Sequence, residues 1–297
     1  MLLNKRIPFS YILKKVRIEL LSVFLISITV VVITERYREY LPEIPFNIPA
    51  FIGTAISILL SFKLSQSYDR WWEARKVWGS IVNDSRSLVI QLQAFTVKGN
   101  ENAVRKIAYR QIAWCYSLGQ ALRGLDPTAN TESLLTPDDL VQIRKHNNKP
   151  LALLQLNALD VKELGEKGQL TGFGQLQLDQ TMVRLCDSQG KCERIKSTVF
   201  PKTYRLFLHF IIYLFVVALS ISLDEVQGIL EIALLLVLAM AFFLLEKSAT
   251  HMQDPFENRP TDTPVTAIAR NIDINIRQML NDSNVPEPVK TDTFFQL

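Results

Sequence analysis

The sequence predicts an all-α membrane protein, with four transmembrane helices per subunit continuing into a helical cytosolic domain. Three observations carry that expectation. Apolar segments at residues 18–34, 50–62, 206–223 and 226–245 are hydrophobic enough to enter a bilayer. No stretch of residues 63–205 is apolar enough to span, and residues 81–95 and 104–122 show amphipathic helical spacing instead. Hydrophobic residues are 48% of the 297 and charged residues still 21%, the mixture expected of spans joined to a sizeable water-exposed part.

Residues 1–62 hold an N-terminal helix and transmembrane helices 1 and 2 (18–34 and 50–62). The first run lacks the short apolar core and small-residue cleavage site of a signal peptide, so it reads as a retained span. Glu19 interrupts it. Pro42, Pro45 and Pro49 disfavour a helix in the connector, residues 35–49, where Tyr37, Tyr40 and Phe46 suit a membrane interface. Residues 63–205 are the cytosolic helical domain, with Trp114 and Tyr116 on its second helix. Asp126-Pro127 opens a polar loop there. Leu135-Thr-Pro-Asp-Asp-Leu140 reads as a helix N-cap with an acidic first turn, and residues 147–150 as a turn. Gly165, Gly168, Gly172 and Gly174 loosen the chain before a helix at 176–185, and Asp187-Ser-Gln-Gly190 reads as a turn. Residues 206–245 form transmembrane helices 3 and 4, a hairpin turned at Asp224-Glu225. Residues 246–297 are a cytosolic C-terminal helix, at 265–280, and a flexible tail.

The basic residues orient these spans. Lys5, Arg6, Lys14, Lys15 and Arg17 precede the first, and Lys63, Arg70, Arg75 and Lys76 follow the second. Lys191, Arg194, Lys196, Lys202 and Arg205 precede the third. The hairpin tip is acidic, and the first connector has only Arg36 and Arg38 among three glutamates. Positive-inside bias puts both termini and the long middle in the cytoplasm.

Several function classes are disfavoured. A net charge of +4 is modest and diffuse, and no basic patch interleaved with exposed aromatics points to nucleic acid. Three cysteines, Cys115, Cys186 and Cys192, are no disulfide framework. Cys186 and Cys192 are spaced to pair across the expected turn, but ligands for zinc are lacking. The histidines His146, His209 and His251 are scattered, so no metal is expected. There is no phosphate-cradling glycine loop, no His-Glu-x-x-His and no triad order, so no catalytic residue is assigned.

The second span carries two stripes. Thr54, Ile58 and Phe62 stack on one helical face, and Gly53, Ser57 and Ser61 on the face beside it. A small-residue stripe lets a neighbouring helix approach closely in lipid. The Thr/Ile/Phe stripe then has two readings, an ordinary packing face or a face toward a lumen. No Gly or Pro lies between Gly53 and Gly79, so one long helix can leave the membrane unbroken. Tyr68, Asp69, Arg70, Trp71, Trp72, Glu73, Arg75 and Trp78 follow, and charges alternating in sign there read as ion pairs and aromatic packing. Gly79 allows close helix contact. His209 and Glu231 lie inside the third and fourth spans. Each either touches an ion path or, being near a span end, reaches water by snorkelling.

Ser65-Gln-Ser-Tyr-Asp-Arg-Trp-Trp-Glu-Ala-Arg-Lys-Val-Trp-Gly79 resembles the signature after the second span of bestrophins. Gly190-Lys-Cys-Glu-Arg-Ile-Lys-Ser-Thr-Val-Phe-Pro-Lys-Thr-Tyr204 is similar to the segment before the third span of the bacterial members. Asp254-Pro-Phe-Glu-Asn-Arg-Pro-Thr-Asp262 holds the place of the family's Pro-Phe motif after the fourth. The resemblance covers nearly the whole chain in order. It implies a homopentamer around one axial pore in the bacterial inner (plasma) membrane, with a narrow neck lined by the second span. By position the neck residues are Thr54, Ile58 and Phe62. Thr54 departs from the apolar residue usual in the family and makes its ring more polar. A cytosolic constriction falls near Phe173, with Leu176 as the alternative.

The family is mainly described as chloride channels, which implies passage of small monovalent anions. A monovalent cation (sodium) channel of the same architecture is the alternative, and a non-conducting membrane scaffold or a carrier is the other class. Against a carrier, no internal repeat is seen and the second span is unbroken. Animal bestrophins bind calcium through acidic residues after the Pro-Phe. Here Glu257, Asn258, Arg259, Pro260, Thr261 and Asp262 make a poor oxygen cage, so no calcium clasp is expected. The implied partners are other copies of the chain, the bilayer and permeant chloride or sodium-like ions.

Overall fold

The computed structural model describes residues 1, 5–40, 43–129, 131–223, 228–291 and 293–296. Among them it has nine α-helices and no named strand: α1 (Phe9–Tyr37), α2 (Asn47–Phe95), α3 (Glu101–Leu122), α4 (Pro137–Arg144), α5 (Lys149–Glu166), α6 (Gly172–Ser197), α7 (Lys202–Ser222), α8 (Ile229–Gln253) and α9 (Val265–Met279). The expected acidic hairpin tip, Asp224-Glu225, lies outside the described residues. Two compact units result: Lys5–Arg70 with Val199–Gln253, and Met1–Asn4 with Trp71–Thr198 and Asp254–Leu297.

The first unit holds α1, α7, α8 and the start of α2. Helices α1, α2, α7 and α8 are long and apolar enough to cross a membrane. Val16 and Val23 of α1, Ile56 and Leu60 of α2, Ile212 and Val216 of α7, and Leu235, Ala239 and Phe243 of α8 are buried together. The helices overrun the apolar segments. Helix α1 starts nine residues before residue 18, because its polar groups find partners: Lys15 Nζ donates to Ser248 Oγ at 3.3 Å, and buried Glu19 pairs with Lys247 at 2.6 Å. Helix α2 starts ahead of Pro49, whose missing N–H costs nothing in a first turn.

The second unit is organised on α3, which packs against α5, α6 and α9. Trp114 of α3 and Trp78 of α2 are fully buried in its core, with Ile107, Ile112, Leu185 and Ile272. Helix α2 runs on through Gly79 to Phe95 without a break. A helical glycine costs about 1 kcal/mol, and full burial of Trp78 and Ile81 on either side of it outweighs that. The N-cap expected at Thr136 is present, as a capping box with Asp139. Arg110 pairs with the same Asp139 at 2.6 Å. Burial pushes the Asp139 carboxyl up, but the Arg110 guanidinium outweighs it and holds the group below the usual carboxylate range.

Three local expectations are corrected. Residues 187–190 are helical, within α6, not a turn. Ser188 and Gln189 are buried there, and Gln189 accepts from Trp114 Nε1 at 3.0 Å, so tertiary contacts override a turn-forming composition. Cys186 and Cys192 therefore share one helix, and both are free thiols, Cys186 exposed and Cys192 buried. Gly172 and Gly174 do not loosen the chain but sit in the first turn of α6, capped by Thr171, whose Oγ1 accepts from Gly174 N at 3.1 Å. A Cβ on Gly174 would lie 2.6 Å from Phe95 Cβ. Gly174→Ala therefore forces α6 away from the end of α2. It is expected to destabilise by about 1–3 kcal/mol, read as a lower apparent melting temperature of the detergent-solubilised protein. Helix α5, unmarked in the sequence beyond a turn at 147–150, starts at Lys149 behind the Asn148 cap.

Candidate functional site

The membrane part of α2 has two unlike faces. Ile56 and Leu60 are 0% and 3% exposed, whereas Ile58 and Phe62 are 53% and 64% exposed. Thr54, Ser57 and Ser61 are exposed with them. The open face thus alternates apolar side chains with hydroxyls. The exposed faces of α7 and α8 differ. Beyond Lys202, Thr203 and Arg205 in its first turn, α7 exposes Leu206, Phe207, Phe210 and Leu214, and α8 exposes Leu230, Leu234, Val237 and Leu245, apolar as lipid demands. Within its apolar segment, helix α1 exposes one hydroxyl residue, Thr29, among apolar side chains, bonded to the Leu25 carbonyl at 2.8 Å.

The hydroxyls of α2 are tamed by its own backbone. Thr54 Oγ1 donates to the Ala50 carbonyl, and Ser57 Oγ to that of Gly53, each at 2.9 Å. Thr54 consequently shows its methyl and an acceptor lone pair, a less polar surface than a free hydroxyl. Of the small-residue stripe only Gly53 meets a neighbour within the chain: a Cβ there would lie 3.2 Å from Phe215 Cε2. Ser57 and Ser61 stay uncovered.

Directly after Phe62 comes a cluster that the sequence did not reveal. By sequence Lys63 stands with the charges following the second span, yet it is 1% exposed. Its Nζ donates to Glu246 Oε1 at 2.7 Å and to Thr250 Oγ1 at 2.8 Å. Glu246 is 0% exposed, with His209 Nε2 3.3 Å from its other oxygen and Arg205 Nε at 3.8 Å. His209 also meets Phe243 edge-on at 5.3 Å. It therefore joins this cluster, with a fifth of its side chain still exposed. Glu231, by contrast, is 5% exposed and accepts from Ser220.

Trp71 stacks with Trp72 at 6.2 Å and its Nε1 donates to the Thr261 carbonyl at 3.0 Å. Glu73 pairs with Lys76 at 2.9 Å. Arg75 Nη1 is the group nearest to a Cβ placed on Gly79, at 3.9 Å among the described residues, so within the chain the space beside Gly79 is open. Tyr68, Asp69 and Trp72 are exposed, Arg70 and Trp71 less so. Phe173 and Leu176 are exposed on α6, and Phe173 meets Phe95 edge-on at 5.9 Å. Phe95, the last residue of α2, had no sequence signal beyond its place at a helix end.

The loop at 254–262 lacks a calcium donor set. Glu257 is held by Lys196, whose ammonium keeps its carboxyl below the usual range. Asp262 is 1% exposed, and one oxygen accepts from the Glu257 and Arg259 amides at 2.6 and 3.0 Å. Burial pushes the Asp262 carboxyl up despite those bonds. These residues do not fit a hard cation that wants several free carboxylate oxygens.

Four helices of membrane length and apolarity, one of which continues into a helical unit, define a polytopic α-helical membrane protein. A family model described as bacterial/fungal bestrophin protein matches residues 5–278. The chain belongs to that family. It is 29% identical over 288 residues to a protein of Escherichia coli (strain K12) named voltage-dependent anion channel-forming protein YneE, covering 96% of this chain and 93% of that one. A Ralstonia nicotianae protein, named voltage-dependent anion channel-forming protein RSc3414, is 28% identical over 253 residues, covering 84% and 81%. A crystal structure of a bacterial bestrophin homolog from Klebsiella pneumoniae superposes with a TM-score of 0.84 at 28% identity, covering 91% of this chain and all of that one.

Proposed function

We propose that the chain forms a homopentameric channel for small monovalent ions, with the open face of α2 turned to an axial pore. The observation that carries this is the contrast between that face and the lipid-like faces of α7 and α8. Acceptor lone pairs left at Thr54 and Ser57, and the Ser61 hydroxyl, leave this face less apolar than a lipid face, while rings of Ile58 and Phe62 repeated around an axis gate by dewetting. Phe173, edge-on to Phe95 at 5.9 Å, forms a second constriction, with Leu176 as the alternative. The relatives' names indicate anions such as chloride as the permeant class. The apolar rings themselves do not encode charge sign, and the exposed carboxylate of Asp69 favours a second reading, passage of monovalent cations such as sodium. Both termini are cytoplasmic and the membrane is the bacterial inner membrane. The orientation rests on the remaining basic residues, because Lys63 is buried and drops out of the count. The protein acts as a channel rather than an enzyme, and neither a calcium clasp nor another cofactor is part of this reading.

Mass measurement of the detergent-solubilised protein tests the assembly. A pentamer is expected, and a monomer or dimer rules out an axial pore.

A further inference from the structure

The open face of α2 continues past Phe62. Ser65 and Asp69 follow in the same register and are exposed. Asp69 lies two helical turns after Phe62 and within about 20° of its direction at 3.6 residues per turn. Its carboxylate has no hydrogen bond or ion pair among the described residues. Of the cations nearby in sequence, Arg75 lies about 140° around the helix from Phe62, off this face, at 3.6 residues per turn, and the others are matched or engaged. Lys63 is buried against Glu246 at 2.7 Å, Lys76 is paired with Glu73 at 2.9 Å, and Arg70 has a partner of its own. The uncompensated charge on this face next to the neck is therefore one carboxylate per subunit.

We propose that Asp69 sets the charge selectivity of the channel, by forming a carboxylate ring beside the neck that concentrates cations and opposes anions. The proposal rests on α2 lining the pore. A carboxylate about 7 Å from a monovalent ion in water changes its relative occupancy about threefold, before any addition from the other subunits. Apolar neck rings act on water and size, so a nearby fixed charge is free to decide sign. Asp69 acts on the ratio of cation to anion permeability, in the direction opposite to that in the relatives' names, whichever ion carries more current.

The test is the reversal potential of the full-length channel in a planar bilayer under asymmetric sodium chloride. Asp69→Asn is expected to move it toward the chloride equilibrium potential and to lower the sodium-to-chloride permeability ratio at least about threefold. Asp69→Lys is expected to move it further, and Asp69→Glu to stay at the wild-type value. The shifts shrink at high salt, where exposed charges are screened. Asp69→Cys in a Cys186→Ser background provides a second arm on protein that is already assembled. A positively charged thiol reagent is expected to shift reversal toward chloride, and a negatively charged one toward sodium. Intact currents that reverse at the wild-type potential in Asp69→Asn, or after both reagents, overturn the proposal. Absence of current from the wild type overturns the channel reading itself.

Discussion

Replacing Ile58 and Phe62 with Ala is expected to raise both single-channel conductance and open probability. Each side chain is more than half exposed, and each is repeated in every subunit of the proposed assembly. A narrow apolar ring blocks ions by expelling water rather than by charge. Truncation to a methyl widens the ring and lowers that barrier. A fall of about 1.4 kcal/mol raises ion flux about tenfold, and removal of an aromatic ring from every subunit is expected to reach that mark. Thr54→Val moves the current the other way, by less. It keeps the side-chain volume and removes only the acceptor lone pair left after the hydroxyl has bonded to Ala50. Currents unchanged in both Ala variants place the neck elsewhere.

Lys63→Met is expected to be the most destabilising single substitution in the membrane unit. Glu246 is 0% exposed and Lys63 is its closest cation. Removing one partner of a buried pair leaves an uncompensated charge, at a cost of about 3–5 kcal/mol. His209 and Thr250 remain, so part of that loss is softened. The double variant Lys63→Met with Glu246→Leu is expected to recover most of the stability, since apolar replacement of a whole buried pair is often neutral. Melting curves in detergent read both. A single variant as stable as the wild type, or a double variant no better than the single, contradicts the pairing. Because Lys63 adjoins Phe62, the same single variant is expected to disturb gating as well.

The spans were legible because lipid leaves few ways to write a membrane helix. Hydropathy marked all four apolar segments, though α1 and α8 extend beyond them on ion-paired polar residues. Continuity of α2 was legible from the absence of Gly and Pro up to Gly79, and burial of Trp78 and Ile81 carries it on to Phe95. Residues 187–190 misled because Asp, Ser and Gly have turn propensity, while burial against Trp114 lies far away in sequence. The Lys63–Glu246 pair spans two helices, and a lone Lys at the end of an apolar run reads as an interface charge. Ile58 and Phe62 were visible by spacing, but spacing alone does not tell a packing face from a lumen face. Their exposure in the structure, beside hydroxyls, separates them from Ile56 and Leu60.

The central claim is that α2 lines an ion path. Single-channel recording of the purified full-length protein in a planar bilayer tests it most directly. Discrete current steps in the wild type, enlarged in Phe62→Ala, are the expected result. A silent wild type across voltage and pH, in preparations that retain the pentamer by mass, contradicts it.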